Sequence, residues 1–116
     1  MKFSTREDVE VPIDQAFALI CDFDAYERSA MRRGAEVRRV DDLSKPGVGM
    51  KWAASFKMRG KKRNLELEMT RFDQPTEICV LSSTSGINGT GQIELLALSR
   101  GRTRILVEFE LKPTNL

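Results

Sequence analysis

Residues 49–69 constrain the fold more than any other segment, because apolar and polar residues alternate along two adjoining runs. The first run has an apolar residue at every second position, namely Met50, Trp52, Ala54, Phe56 and Met58. The second run repeats the pattern with Leu65, Leu67 and Met69, after a turn predicted at residues 60–62. A period of two in adjoining runs predicts an antiparallel hairpin with one apolar and one polar face. Its large, adaptable side chains suit either a packed core or the lining of a cavity.

The remaining sequence predicts strands around two short helices. Strands are predicted at residues 3–11, 36–42, 77–84, 90–98 and 103–112, and helices at 13–21 and 25–33. Asp24 is the predicted N-cap of the second helix, and Gly34 is the predicted end of that helix. Residues 77–84 are apolar on both faces, which favours a strand near the middle of the sheet. Strands joined in sequence by short turns predict an antiparallel meander.

Length and composition favour a globular domain. The 116 residues match one domain with a single core, residues 1–116. Hydrophobic residues make up 41% and charged residues 31%, which is typical of neither a disordered nor a membrane protein. No apolar run approaches the roughly 20 residues that span a bilayer. The N-terminus becomes acidic at Glu7 and Asp8 and lacks the apolar segment of a signal peptide, so we expect a cytoplasmic location.

The residue types limit the chemistry that this chain could perform. Histidine is absent, which removes the usual general base, the histidine-activated nucleophiles and the commonest zinc ligand. Cys21 and Cys79 lie far apart in apolar surroundings and are interpreted as buried thiols. The sequence therefore predicts no metal site and no cofactor.

Basic residues cluster at the tip of the predicted hairpin. They are Lys57, Arg59, Lys61, Lys62 and Arg63. The net charge of +2 is too small to predict nucleic-acid binding. A solvated hairpin tip is the simplest interpretation, and the alternative is contact with an acidic surface, such as anionic lipid headgroups or a partner protein.

Four segments carry a resemblance to a known superfamily. They are the Val-Pro-Ile-Asp-Gln-Ala-Phe stretch at 11–17, the junction between the helices at 22–28, the Gly-Val-Gly loop at 47–49 and the Gly-Arg-Thr-Arg-Ile hairpin at 101–105. In order and spacing the sequence resembles the SRPBCC/START-like helix-grip superfamily, which includes START lipid-transfer domains, birch-pollen-allergen-type proteins and polyketide cyclases/dehydrases. The resemblance implies an α+β, Bet v 1-like fold: a curved seven-stranded antiparallel sheet with two short helices after the first strand.

The sequence departs from that family pattern in two places. Ser29, Ala30 and Met31 stand where the family usually has a tryptophan. Family members also continue into a long C-terminal helix gripped by the sheet, whereas this sequence ends at Leu116, where that helix would begin. Two short helices cannot cover seven strands. We therefore expect either a further C-terminal tail, which we favour, or a homodimer in which a second copy covers the sheet. In both cases we expect exposed apolar residues on its inner face.

The resemblance implies a module that binds or transports a small hydrophobic molecule, such as a lipid, a quinone or a polyketide-like compound, in a cavity between sheet and helices. A pocket of this kind needs mostly apolar walls. The predicted ligand-binding residues, each of which also fits a plain core position, are Phe17, Ile20, Met31, Trp52, Phe56, Leu67, Met69, Leu81, Ile93, Val107 and Phe109.

Two other functions stay open on the same scaffold. A polyketide cyclase/dehydrase-type enzyme would draw on polar groups such as Tyr26, Ser55, Thr70, Arg71 and Ser83, although no acid–base pair is evident in the sequence. A protein-interaction or co-chaperone-like module would use the basic hairpin at residues 57–63.

Overall fold

A computed structural model of the chain describes residues 1–114. Its elements are, in chain order, β1 (Lys2–Val9), α1 (Ile13–Ile20), α2 (Phe23–Arg32), β2 (Glu36–Arg39), β3 (Lys51–Met58), β4 (Lys61–Asp73), β5 (Glu77–Thr84), β6 (Ile87–Ser99) and β7 (Arg102–Pro113). The strands form one antiparallel sheet in the order β1-β7-β6-β5-β4-β3-β2. The helices therefore connect the two edge strands of the sheet, and β5 is its central strand, as predicted. The predicted α+β fold class is confirmed.

The two helices follow each other directly on one face of the sheet, which is called the concave face below. The N-cap of α2 is Asp22, whose carboxylate accepts a hydrogen bond from the Ala25 N–H at 3.2 Å, so the prediction of Asp24 was two residues late. Gly34 ends the helix as predicted: its φ of 95° lets the chain reverse, and the Ala35 N–H donates to the Ala30 carbonyl at 3.1 Å. Among residues 1–114, no helix is long and apolar enough to cross a bilayer.

The β3–β4 hairpin is present, with a tighter turn than the sequence predicted. Met58 pairs with Lys61, which leaves a two-residue loop at Arg59 and Gly60. Both loop residues have positive φ, 54° and 77°, the geometry of a type I′ turn that matches the twist of the flanking strands.

One β-bulge decides which side chains of β4 point inward. Met69 pairs with Val80, whereas the next pairs are Arg71 with Cys79 and Phe72 with Ile78, so one residue of β4 is left over. Without this extra residue, strict alternation would place Met69 and Phe72 on opposite faces. With it, both side chains reach the concave face.

The core lies between α1 and the concave face. Its buried residues come from α1, from Met50 just before β3, and from strands β3 to β6: Ala16, Phe17, Met50, Trp52, Met69, Ile78 and Leu95. Phe17 packs edge-on against Phe72, with ring centroids 5.4 Å apart. The core thus occupies the half of the concave face that the helices cover.

Candidate functional site

An apolar groove of about 420 Å³ lies between α2 and the concave face. Its wall residues are apolar except for Tyr26 and Glu27, and they come from the end of α1, from α2 and from strands β2 to β6. They are Ile20, Phe23, Tyr26, Glu27, Ala30, Ala35, Val37, Trp52, Ala54, Phe56, Leu65, Leu67, Met69, Ile78, Val80 and Ile93.

Six of the predicted ligand-binding residues line this groove. They are Ile20, Trp52, Phe56, Leu67, Met69 and Ile93. Phe17 does not reach the groove, because it is buried beneath α1 as part of the core. Val107 and Phe109 lie on the concave face, but nearer to the β1 edge and outside the groove wall.

Two predicted residues lie elsewhere. Met31 is half-exposed on α2 and does not line the groove. Leu81 is half-exposed on the opposite face of the sheet, which corrects its assignment to the cavity. The reason is register: Val80 pairs with Met69, so Val80 points inward and its neighbour Leu81 must point outward.

Several wall residues were not assigned to the groove by sequence reasoning. Phe23 fell between the two predicted helices, yet it begins α2 and its ring lies 5.6 Å from that of Trp52. Val37 is the apolar residue of the short strand β2 and pairs with Ala54. The alternation of β2 and the helical spacing of Phe23, Tyr26 and Ala30 were the signals that could have identified this wall.

A charged pair, Arg39 and Asp41, lies at the Trp52 end of the groove without lining its wall. The Arg39 guanidinium lies 5.5 Å from the centre of the Trp52 ring and donates from Nε to the Asp41 carboxylate at 2.7 Å. The Asp41 carboxylate is almost fully buried and also accepts from the backbone N–H groups of Lys51 and Leu43, at 2.8 and 3.0 Å. The hydrogen bond from Arg39 and these backbone donors hold the pKa of Asp41 well below its usual range. Arg39 is therefore fixed over the tryptophan.

The polar groups of the groove and its rim offer little reactivity. The Tyr26 hydroxyl donates to the carbonyl of Ile20 at 2.7 Å, which ties α2 to the end of α1, and burial raises the pKa of Tyr26. Burial also raises the pKa of Cys21 to about 11 and raises the pKa of Cys79, which lies on the opposite face of the sheet, so both thiols stay protonated at neutral pH. In the part of the chain that the structure describes, no three potential metal ligands cluster.

The other polar residues considered for catalysis do not face the groove. Ser55 and Ser83 lie along grooves of the opposite face of the sheet. On that face Arg71 donates to Glu77 at 3.0 Å, and Gln92 also donates to the Glu77 carboxylate. The Gln92 amide and the Arg71 guanidinium lower the pKa of Glu77. These contacts form a polar network of the outer surface, separated from the groove by the sheet.

Beyond the groove, part of the concave face is open. We call this part the open half; its half-exposed apolar residues are Phe3, Met58, Ile87 and Phe109. The expectation of exposed apolar side chains on the inner face is met at these positions. Here the Phe109 ring lies over Gly89 and Gly91 of β6, where an added Cβ would come within 3.2 and 3.4 Å of the ring.

Comparisons with known proteins identify the fold. No protein-family model and no curated protein matches the sequence. Among solved structures, the Zhui aromatase/cyclase from Streptomyces sp. R1128 aligns with a TM-score of 0.74 at 12% identity, covering 100% of this chain and 70% of that one. A START superfamily protein from Mycobacterium smegmatis aligns at 0.70 with 10% identity, covering 98% and 78%. The Plasmodium falciparum HSP90 activator PFC0360w aligns at 0.63 with 21% identity, covering 99% and 76%. The chain therefore has the SRPBCC/START-like helix-grip fold.

Proposed function

We propose that the groove between α2 and the concave face binds a small hydrophobic molecule. The observation that carries this proposal is a cavity of about 420 Å³ whose wall, as far as residues 1–114 form it, has only two polar residues, Tyr26 and Glu27. Ligand pockets in proteins usually have volumes of about 300–1,000 Å³, mostly apolar walls and a few polar groups. The groove fits that description in both size and lining.

A lipid, a quinone or a polyketide-like compound is the class of ligand that fits best. Tyr26 and Glu27 lie together on α2, so a ligand with one polar end would place that end toward the helix and its apolar body along Phe56 and Leu65. The START protein and the aromatase/cyclase among the structures of the same fold favour this class.

A matched pair of substitutions tests the proposal. Ala54 lines the groove, whereas its neighbour Ala53 lies on the opposite face of the same strand. Ala54→Leu should fill part of the groove and weaken binding of 1-anilinonaphthalene-8-sulfonate about tenfold or more, whereas Ala53→Leu should leave affinity within about twofold. Trp52→Ala should abolish retention of a co-purifying ligand, but Trp52 also belongs to the core, so the alanine pair is the cleaner test.

The probe is followed through energy transfer from Trp52, which is the only tryptophan in the chain and lies in the groove wall. Mass spectrometry under non-denaturing conditions would show whether a small molecule co-purifies. Equal affinities of the two leucine variants for the probe would overturn the assignment of the groove as the binding site.

A further inference from the structure

The tip of the β3–β4 hairpin extends past the rest of the sheet as a two-stranded ribbon, residues 56–63. On one side, β2 pairs with β3 no further than Ser55, and on the other, β5 pairs with β4 no further than Leu65. Within the ribbon the pairs are Phe56 with Arg63, Lys57 with Lys62 and Met58 with Lys61. At about 3.3 Å per residue, three pairs carry the turn roughly 10 Å beyond the neighbouring strands.

The ribbon carries a concentration of positive charge that works against its own stability. It holds Lys57, Arg59, Lys61, Lys62 and Arg63 and contains no acidic residue. Lys57 and Lys62 lie directly opposite each other, an arrangement that destabilises a strand pair. A two-stranded ribbon without further strands is marginally stable to begin with. The charge is therefore not explained by the needs of the fold.

This charge also lacks internal compensation. Within residues 1–114, none of the five cations takes part in an ion pair, and the Arg63 Nε is buried without a hydrogen-bond partner. Near the opposite end of the sheet, arginines are paired: Arg104 with Asp8 at 2.8 Å and Arg39 with Asp41. The ribbon is thus a local concentration of cations without ion-pair partners among residues 1–114, although single unpaired cations such as Arg6 and Lys51 also occur elsewhere in the sheet.

We propose that the ribbon docks on the surface of an anionic lipid bilayer. Cations near such a surface are attracted to its headgroups, and the half-exposed Met58 adds an apolar side chain that can enter the interface. Met58 and Phe56 both lie on the concave side of the ribbon, so apolar side chains and cations occur together at this end of the sheet. A nucleic acid or an acidic peptide would use the charge but would leave this adjoining apolar surface without a partner. The docking does not require a ligand in the groove.

Co-sedimentation with large unilamellar vesicles tests the proposal. The protein should bind vesicles of phosphatidylcholine mixed with phosphatidylserine, should not bind phosphatidylcholine alone, and should be released by added salt. Each cation near an anionic surface contributes about fivefold to partitioning, so Lys57→Gln with Lys62→Gln should reduce binding roughly 25-fold. Because these substitutions also remove the like-charge pair, the variant should be at least as thermally stable as the parent protein.

A second double variant controls for net charge. Lys45→Gln with Arg100→Gln removes the same charge from exposed loops near the other end of the sheet and should bind vesicles within about twofold of the parent. The proposal is overturned if the parent protein does not bind vesicles that contain phosphatidylserine, or if the two double variants lose vesicle binding equally. A parent protein that binds vesicles but does not bind the probe would count against the proposed function and would leave the docking surface supported.

Discussion

The covered half and the open half of the concave face carry the same kinds of side chain in the same alternation, yet their burial differs completely. In the covered half, Met69 is 0% exposed and Leu95 1%, whereas in the open half Met58 is 50% exposed and Phe109 37%. All four are apolar residues on one face of one sheet. The difference lies in what faces them: α1 and α2 lie across the first pair and, among residues 1–114, no helix lies across the second. Alternation assigns a side chain to a face, but an element from elsewhere in the chain or beyond it decides whether that side chain is buried.

The largest expected effect is a difference in the free energy of unfolding between substitutions in the covered half and substitutions in the open half. Met69→Ala leaves a cavity in the covered half and should reduce the free energy of unfolding by about 3 kcal/mol. Phe109→Ala removes a half-exposed ring and should cost only about 1 kcal/mol. Leu81→Ala, on the outer face, is the control and should stay within about 0.5 kcal/mol. Urea unfolding measures all three.

The contrast between the two halves would be contradicted if Phe109→Ala reduced the free energy of unfolding as much as Met69→Ala. That result would mean that the open half is covered in solution, because a half-exposed ring cannot contribute so much through the contacts of residues 1–114 alone. Repeating the measurement over a range of protein concentrations would then show whether a second copy provides the cover.

The β3–β4 hairpin could be predicted from the sequence because its information is local. Trp52 and Leu67 pair directly, and each lies in its own alternating run, so the face and the partner follow from a period of two. The C-terminal signal at Gly34 is equally local, since only a residue tolerant of positive φ ends a helix in that way.

The predictions from the sequence were wrong where contacts between residues distant in sequence determine the face or the bounds of a strand. Leu81 and Val80 are both apolar, so alternation could not choose between them, and the pairing of Val80 with Met69 made the choice. The strand after residues 77–84 was predicted to begin at residue 90, yet β6 begins at Ile87. At Gly89, inside that strand, an added Cβ would collide with the Ser82 hydroxyl and would also come within 3.2 Å of the side chains of Leu111 and Phe109, both distant in sequence. A single sequence contains no local sign of either contact.

A smaller loss of stability is expected where the segment just before α1 is attached to the covered half. Thr103 is fully buried, and its hydroxyl donates to the carbonyl of Val11 at 2.8 Å. Thr103→Val keeps the shape of the side chain but leaves that carbonyl without its donor, so it should reduce the free energy of unfolding by about 1–2 kcal/mol. Thr103→Ser keeps the hydroxyl and tests whether the hydrogen bond or the methyl group matters. Should Thr103→Val be as stable as the parent protein, the hydroxyl would not be the tether.

The smallest effect concerns the charged pair at the Trp52 end, and it depends on pH. Asp41 is 5% exposed at its side chain, and the hydrogen bond from Arg39, followed by that from the Lys51 N–H, lowers its pKa below the ordinary 3.8. A carboxyl group with a lowered pKa contributes stability above its unfolded pKa and loses that contribution as the pH falls toward the folded pKa. Asp41→Asn is of similar size and can still accept from a backbone N–H, so at neutral pH we expect a Tm only a few degrees below that of the parent protein.

The difference in Tm between the parent and Asp41→Asn should therefore be constant from about pH 7 to about pH 5 and should shrink as the pH falls below about 4. Asp8 and Glu77 also have lowered pKa values, but both proteins share them, so they cancel in the difference. Thermal unfolding of the two proteins at matched pH values measures this directly. A gap that stays constant down to about pH 2 would show that the ionised carboxylate contributes nothing and that Arg39 is held over Trp52 by stacking alone.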